Sequence, residues 1–212
     1  PISAIDHIEV ITEGASALYG QDALAGAVNI VLKQRTHGGS INFQNSGFYA
    51  GDGQALNGYA DWATALGKSG GYLDLAAQVT HQLPTNRSGL FVGQLYPTGD
   101  SREETANRDV QRGLGIPKST LETLSENMSV PLGENLDLYS TSTFSHRKAH
   151  VAETYRSAGN SLTNIDLWPN GDQPYIGMDQ YDFETDNGIK ARKFGFAWDA
   201  YVNYGRDDQA YS

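Results

Sequence analysis

The stretch YLDLAAQVTHQL, from Tyr72 to Leu83, decides the fold class. Leu73, Leu75, Ala77, Val79 and Leu83 alternate with Tyr72, Asp74, Gln78, Thr80 and Gln82, a period of two. Successive side chains on a strand point to opposite faces, so this period predicts a strand with one apolar and one polar face.

The same period extends on both sides. Ile41 and Phe43 alternate with Asn42 and Gln44, which predicts a strand from about Gly39 to Tyr49, turned by Gly51, Asp52 and Gly53. From Gln54 to Leu66, Leu56, Ala60, Trp62 and Leu66 share one face, and Asn57, Tyr59 and Asp61 the other. Gly67, Lys68, Ser69, Gly70 and Gly71 then supply a tight turn. Beyond Leu83, strands are predicted near Leu121 to Val130, over Leu136 to His146, in a weaker segment ending near Lys193, and from Phe196 to Tyr204. Seven strands result.

Their connections differ in length. Those at Gly67, Pro131 and Gly195 are short, whereas polar stretches of roughly 35 residues, about Thr85–Thr120 and Ala149–Asn187, are too long for ordinary connections. Short turns at one end and long loops at the other are expected of an outer-membrane β-barrel. The short connection at Asp52 is the exception. A secreted β-sandwich, carbohydrate-binding or carbohydrate-active, would alternate in the same way but gives no reason for long loops to collect at one end.

Composition narrows the classes. The 212 residues include 24 Gly, about 11% against a usual level near 7%, as suits many short strands and turns. The net charge of -10, with no basic stripe, argues against nucleic acid as a partner, because phosphate contacts need a basic face. The absence of Cys removes disulfides, thiolate metal sites and thiol nucleophiles. No run approaches the roughly 18 apolar residues of a spanning helix, while a membrane β-barrel averages to a polar composition and stays open. The chain begins at Pro1 with no signal peptide and stops after an alternating segment, so a piece of a longer protein is expected.

The first 37 residues differ from the rest. IDHIEVI, Ile5 to Ile11, predicts a short strand, ASALYG one or two helical turns with Ser16 as N-cap and Gly20 as stop, and Ala23 to Lys33 a buried strand. Gly14, Gly20 and Gly26 recur every six residues, where turns or close backbone approach are needed. By spacing alone this is a small α/β unit.

The string GASALYGQDALAGAVNIVLK closely resembles the end of the plug domain of TonB-dependent outer-membrane receptors. Ile5, Ile8, Glu9, Val10, Ala15, Ser16, Leu18, Tyr19, Gly20, Ala23, Gly26, Asn29, Ile30 and Lys33 fit the family pattern, with Gly14 just before it. His7 stands where the family often has Arg, and Thr12, Glu13 and Gly14 where it often has Arg-Gly-Pro, which puts one plug-to-barrel ion pair in question. The resemblance covers the first sixth of the chain.

It implies a mainly β fold: the end of a small α/β plug domain over residues 1–37, then about seven antiparallel strands of an incomplete transmembrane barrel over 38–212. Leu73, Leu75 and Val79 would face outer-membrane lipid, and Asp74, Gln78 and Thr80 the lumen. Plugged transporters have about 22 strands, so most of such a barrel would lie outside this chain. The resemblance implies a receptor that binds a scarce external ligand, whether siderophore, haem, cobalamin or saccharide. It would import that ligand to the periplasm by coupling to TonB and its inner-membrane energising complex. It implies no enzyme activity and no cofactor. A passive or structural barrel is the nearest rival, though an unplugged pore should lack the Ile5–Lys33 pattern.

Catalytic and metal constellations are thin. His146 and His150 are four apart, but on a strand that places them about 13 Å apart, and HRKAH lacks a companion Glu. Gly67, Lys68 and Ser69 echo a P-loop whose first Gly is replaced by Trp62. Ser16 lacks the nucleophile elbow, and Asp6 and His7, adjacent on a strand, should point apart. Asp182, Glu184 and Asp186 resemble a calcium loop with Gly188 displaced and Lys193 where the last Glu belongs, and read more simply as a solvated acidic loop. Ligand contact is expected in the long stretches, with Trp168, Tyr175, Tyr181 and Phe183 as stacking candidates. The acidic residues there favour a neutral or calcium-bridged ligand over a bare anion.

Overall fold

The computed structural model describes residues 1–12 and 26–212. They form a two-stranded sheet and a seven-stranded sheet. After a 3-10 turn at Ile2–Ala4, β1 (Ile5–Ile11) pairs antiparallel with β2 (Ala27–Leu32). The β-branched residues of IDHIEVI and AVNIVL suit extended backbone. Gly26 opens β2 with φ +132, and a β-carbon there would lie 2.5 Å from the Ile11 carbonyl oxygen. Only glycine fits both the backbone angle and that approach.

The large sheet is an antiparallel meander: β3 (His37–Ser46), β4 (Ala55–Leu66), β5 (Gly71–Gln82), β6 (Lys118–Pro131), β7 (Leu136–Ala152), β8 (Tyr175–Lys193) and β9 (Phe196–Tyr211), each paired with the next. All seven expected strands are present. The ends moved where side-chain chemistry hid the period. β3 stops at Ser46, three residues before the expected Tyr49. β7 runs to Ala152 and β8 begins at Tyr175, so the second long connection is 153–174 and not 149–187. The extensions are charged, and cross-strand partners absorb the charge: His146 sits 3.3 Å from Glu122 and 2.8 Å from Asp179, and Lys148 3.4 Å from Asp179.

Register separates two faces. Trp62 opposes Leu75, Ala77 opposes Leu124, Leu124 opposes Phe144, and Phe144 opposes Phe183. These residues, with Ile41, Phe43, Val79, Ile189, Val202 and Tyr204, make one continuous apolar face, and much of it is exposed. Glu126 interrupts it and accepts a hydrogen bond from Ser140 Oγ at 3.1 Å. The opposite face carries Asp61, Asp74, Gln78, Asn127, Thr141 and Asn203, and the N-terminal segment lies against it. Among the described residues an ordinary core between two apolar layers does not form: the only large apolar side chain buried almost completely there is Leu95, in a loop.

The short turns 67–70, 132–135 and 194–195 lie at one end of the meander, and connections 47–54, 83–117 and 153–174 at the other.

Candidate functional site

Two regions assemble residues that the strand pattern alone leaves unconnected. The first joins the N-terminal segment to the polar face. Asp61 on β4 and Asp74 on β5 are diagonal neighbours, since Ala63 opposes Asp74, and both are almost fully buried. Arg35, just before β3, bridges them: Nε and Nη2 each donate to Asp74 at 2.9 Å, and Nη2 donates to Asp61 at 2.6 Å. Ser40 Oγ adds a bond to Asp61 at 2.7 Å, and Lys33 Nζ lies 3.7 Å away. A buried carboxylate is tolerable only when paired and hydrogen-bonded, which this fork geometry achieves. The hydrogen bonds to Asp74 and Asp61 push the Arg35 pKa upward.

Further bonds fix the same segment. The Ile2 backbone N–H donates to Gln78 Oε1 at 2.9 Å, Ser3 Oγ to the Ala60 carbonyl at 3.2 Å, and Asn127 Nδ2 to the Lys33 carbonyl at 2.8 Å. Between β2 and the polar face lies a polar crevice of about 980 Å³, bordered by Asn29, Gln34, Tyr72, Tyr139, Asp186 and Asn203. Sequence reasoning missed Arg35, Asp61 and Asp74 as a unit. The available signal was two acids at interior positions of the polar face of neighbouring strands.

The second region is the pair of long loops. They pack on each other around Leu95 and Tyr155, which are buried, with Phe91 edge-on to Tyr155 at 5.5 Å between ring centroids. The Tyr155 hydroxyl donates to the Asn170 carbonyl and Tyr96 Oη to Asn170 Oδ1, while Arg102 donates to the Pro169 carbonyl and stacks over Tyr96. Gln173 exchanges bonds with Arg112 N and O at 2.7 Å. Burial raises the Tyr155 pKa.

Every arginine of 83–117 is paired: Arg87 with Asp52, Arg102 with Asp100, Arg108 with Glu103 and Arg112 with Asp109, at 2.5 to 2.7 Å. Glu103 also accepts from the backbone N–H of Tyr96 and Leu95, bonds that hold its pKa below the usual carboxylate range. Arg87 ties the short 47–54 connection to the loop assembly through Asp52.

The predicted site residues scatter. Ile8, Glu9 and Val10 lie on β1, opposite Ile30, Asn29 and Val28, and Asn29 Nδ2 donates to Glu9 Oε2 at 2.8 Å. Gly14, Ala15, Ser16, Tyr19 and Gly20, with the helical turns expected there, lie outside the described residues. Trp168 is in the second loop and half exposed, as is Tyr175 at the start of β8. Tyr181 and Phe183, expected in a loop, are on β8 instead and share the apolar face. Tyr181 stacks on His146 at 4.2 Å and Phe183 opposes Phe144.

The four aromatics therefore do not form one cluster. Asp182, Glu184 and Asp186 were expected in a loop but are alternate residues of β8, spread along the strand at about 6.7 Å per step. Asn203 Nδ2 donates to Asp186 and Glu184. Asp6 and His7, expected to point apart, are hydrogen-bonded at 2.7 Å. The pairing register shifts between Ile5 and His7, and that irregularity turns the two side chains together. The contact raises the His7 pKa.

Compared with models of known protein families, the chain matches none.

Proposed function

We propose that this chain is the plug-to-barrel portion of a TonB-dependent outer-membrane receptor, which binds a scarce external ligand and imports it to the periplasm. The observation that carries this reading is the two-faced sheet. Its apolar face has no protein partner among the described residues, while its polar face holds the N-terminal segment through the buried Arg35–Asp61–Asp74 cluster. In water such an apolar face costs free energy, whereas in a bilayer it is the required surface.

Dimensions agree. On β7 the apolar face runs from Leu136 to Phe144, about 26 Å of strand. A strand tilted by about 40° spans about 20 Å of membrane normal over that length, close to the roughly 25 Å apolar band of outer-membrane barrels. Beyond Phe144 come His146 and Lys148, beyond Tyr204 come Arg206 and Asp208, and tyrosines 181 and 204 mark the border. β3 and β9 each leave one edge unpaired, and further strands would satisfy both.

In this reading the paired long loops face outward and collect ligand, residues 1–37 close the lumen, and energy delivered through TonB loosens their hold on the wall. The work is binding followed by a conformational gate, with no covalent step. Fractionation of native cells with and without a proton gradient tests it. The expected result is a heat-modifiable outer-membrane protein whose ligand uptake stops when the gradient is dissipated or TonB removed. Recovery of the folded protein from the culture medium would overturn it.

A further inference from the structure

The geometry points to a binding cleft for an uncharged, polyhydroxylated molecule about the size of one sugar ring, between the two long loops. One wall is Gln94, Tyr96, Pro97 and Thr98, the other Ser157 and Asn160, and they enclose about 260 Å³. That is just under the roughly 300–1,000 Å³ of drug-sized pockets. At Gly159 the walls meet: a β-carbon there would lie 3.6 Å from the backbone of Tyr96 and Pro97.

The lining decides the ligand class. It contains no charged side chain, only amides, hydroxyls, an aromatic ring and a proline. Gln94 Nε2 donates to Thr98 Oγ1 at 3.3 Å, which directs Gln94 Oε1 elsewhere as an acceptor. Asn160 Oδ1 is taken by the Leu162 N–H at 2.9 Å, which leaves Nδ2 as a donor. Donors and acceptors on facing walls, beside an aromatic surface, match vicinal hydroxyls on a ring with apolar C–H faces.

Both walls are held from behind. Glu103 anchors the amides of Leu95 and Tyr96, Arg102 covers one side of the Tyr96 ring, and Thr163 Oγ1 holds the Ser157 carbonyl at 2.9 Å. Such preorganisation lowers the cost of binding. An anionic ligand would meet no charged side chain in the lining, and every arginine in the first loop already has a carboxylate partner.

This inference rests on the reading of the loops as a receptor's outer face, and the experiment separates the two. The protein in its native membrane is titrated with glucose, galactose, mannose and N-acetylglucosamine, and with citrate and glucose 6-phosphate as charged probes. At least one neutral sugar should bind, with affinity falling about tenfold in Gln94→Ala and in Asn160→Ala, one hydrogen bond each. Val92→Ser, outside the cleft, should bind normally, and protected Leu95 and Tyr96 amides would show that the variants fold. No neutral binding, tighter binding of the charged probes, or affinity unchanged in both variants overturns the cleft. Sugar bound here but taken up without a proton gradient would keep the cleft and overturn the transport reading. Gradient-driven uptake of another ligand with no sugar bound would do the reverse.

Discussion

Arg35 grips Asp74 through two parallel hydrogen bonds of 2.9 Å, Nε to Oδ2 and Nη2 to Oδ1, and so ties the chain before the first strand of the large sheet to the polar face of its third. Asp61 accepts a further bond from the same Nη2, so one guanidinium bridges two buried acids, with Lys33 Nζ 3.7 Å from Asp61 as the second positive charge.

Removing that guanidinium should leave Asp74 without its cationic partner and Asp61 with only Lys33 and Ser40. Arg35→Ala is expected to cost about 3–5 kcal/mol, as for other broken buried pairs, and to raise hydrogen exchange in residues 27–36. Arg35→Lys should recover only part of this, because an ammonium cannot form the two-pronged contact. Exchange rates unchanged in Arg35→Ala would show that the segment is held by its other bonds alone.

The two faces of β5 should respond oppositely to charge. Leu75→Arg, on the apolar face, is expected to cost about 2–4 kcal/mol in a bilayer, and Gln78→Arg, on the polar face, far less. Equilibrium unfolding in lipid vesicles measures both, and equal costs would contradict the assignment of faces.

Loop order should depend on acid. The folded pKa of Glu103 lies below its unfolded value, near 4.3, because Tyr96 and Leu95 N–H groups and Arg108 favour the carboxylate. Its contribution is therefore complete above the unfolded pKa and is lost as pH falls through the folded one. Protection of the Leu95 and Tyr96 amides should be flat from pH 7 to about 5 and fall below about 4. Glu103→Gln should show weakened protection already at pH 7.

Gly26→Val should disrupt the small sheet. The new β-carbon would sit 2.5 Å from the Ile11 carbonyl oxygen at a φ of +132 that valine rarely adopts, a strain of at least about 1–3 kcal/mol. Faster proteolysis within residues 1–36, with the large sheet intact, is the expected readout. Wild-type resistance would mean that the β1–β2 pairing tolerates the shift.

The period of two, written in single strands such as Tyr72 to Leu83, is a local property of the chain, and it was sufficient for the strand count, the meander and the two faces. The lengths of the connections likewise placed long loops at one end. Charged extensions of strands were not legible in the same way. Residues 149–152 and 175–187 read as polar loop because the charges around them, such as His146, Glu122 and Asp179, come from three segments, and their neutralisation exists only after pairing. The same holds for Arg35, Asp61 and Asp74, and for the cleft between Gln94 and Asn160. Sequence sets what each residue can offer, but which charges become neighbours is decided by register and by loop against loop, over separations of 26 to 39 residues in the ion cluster alone.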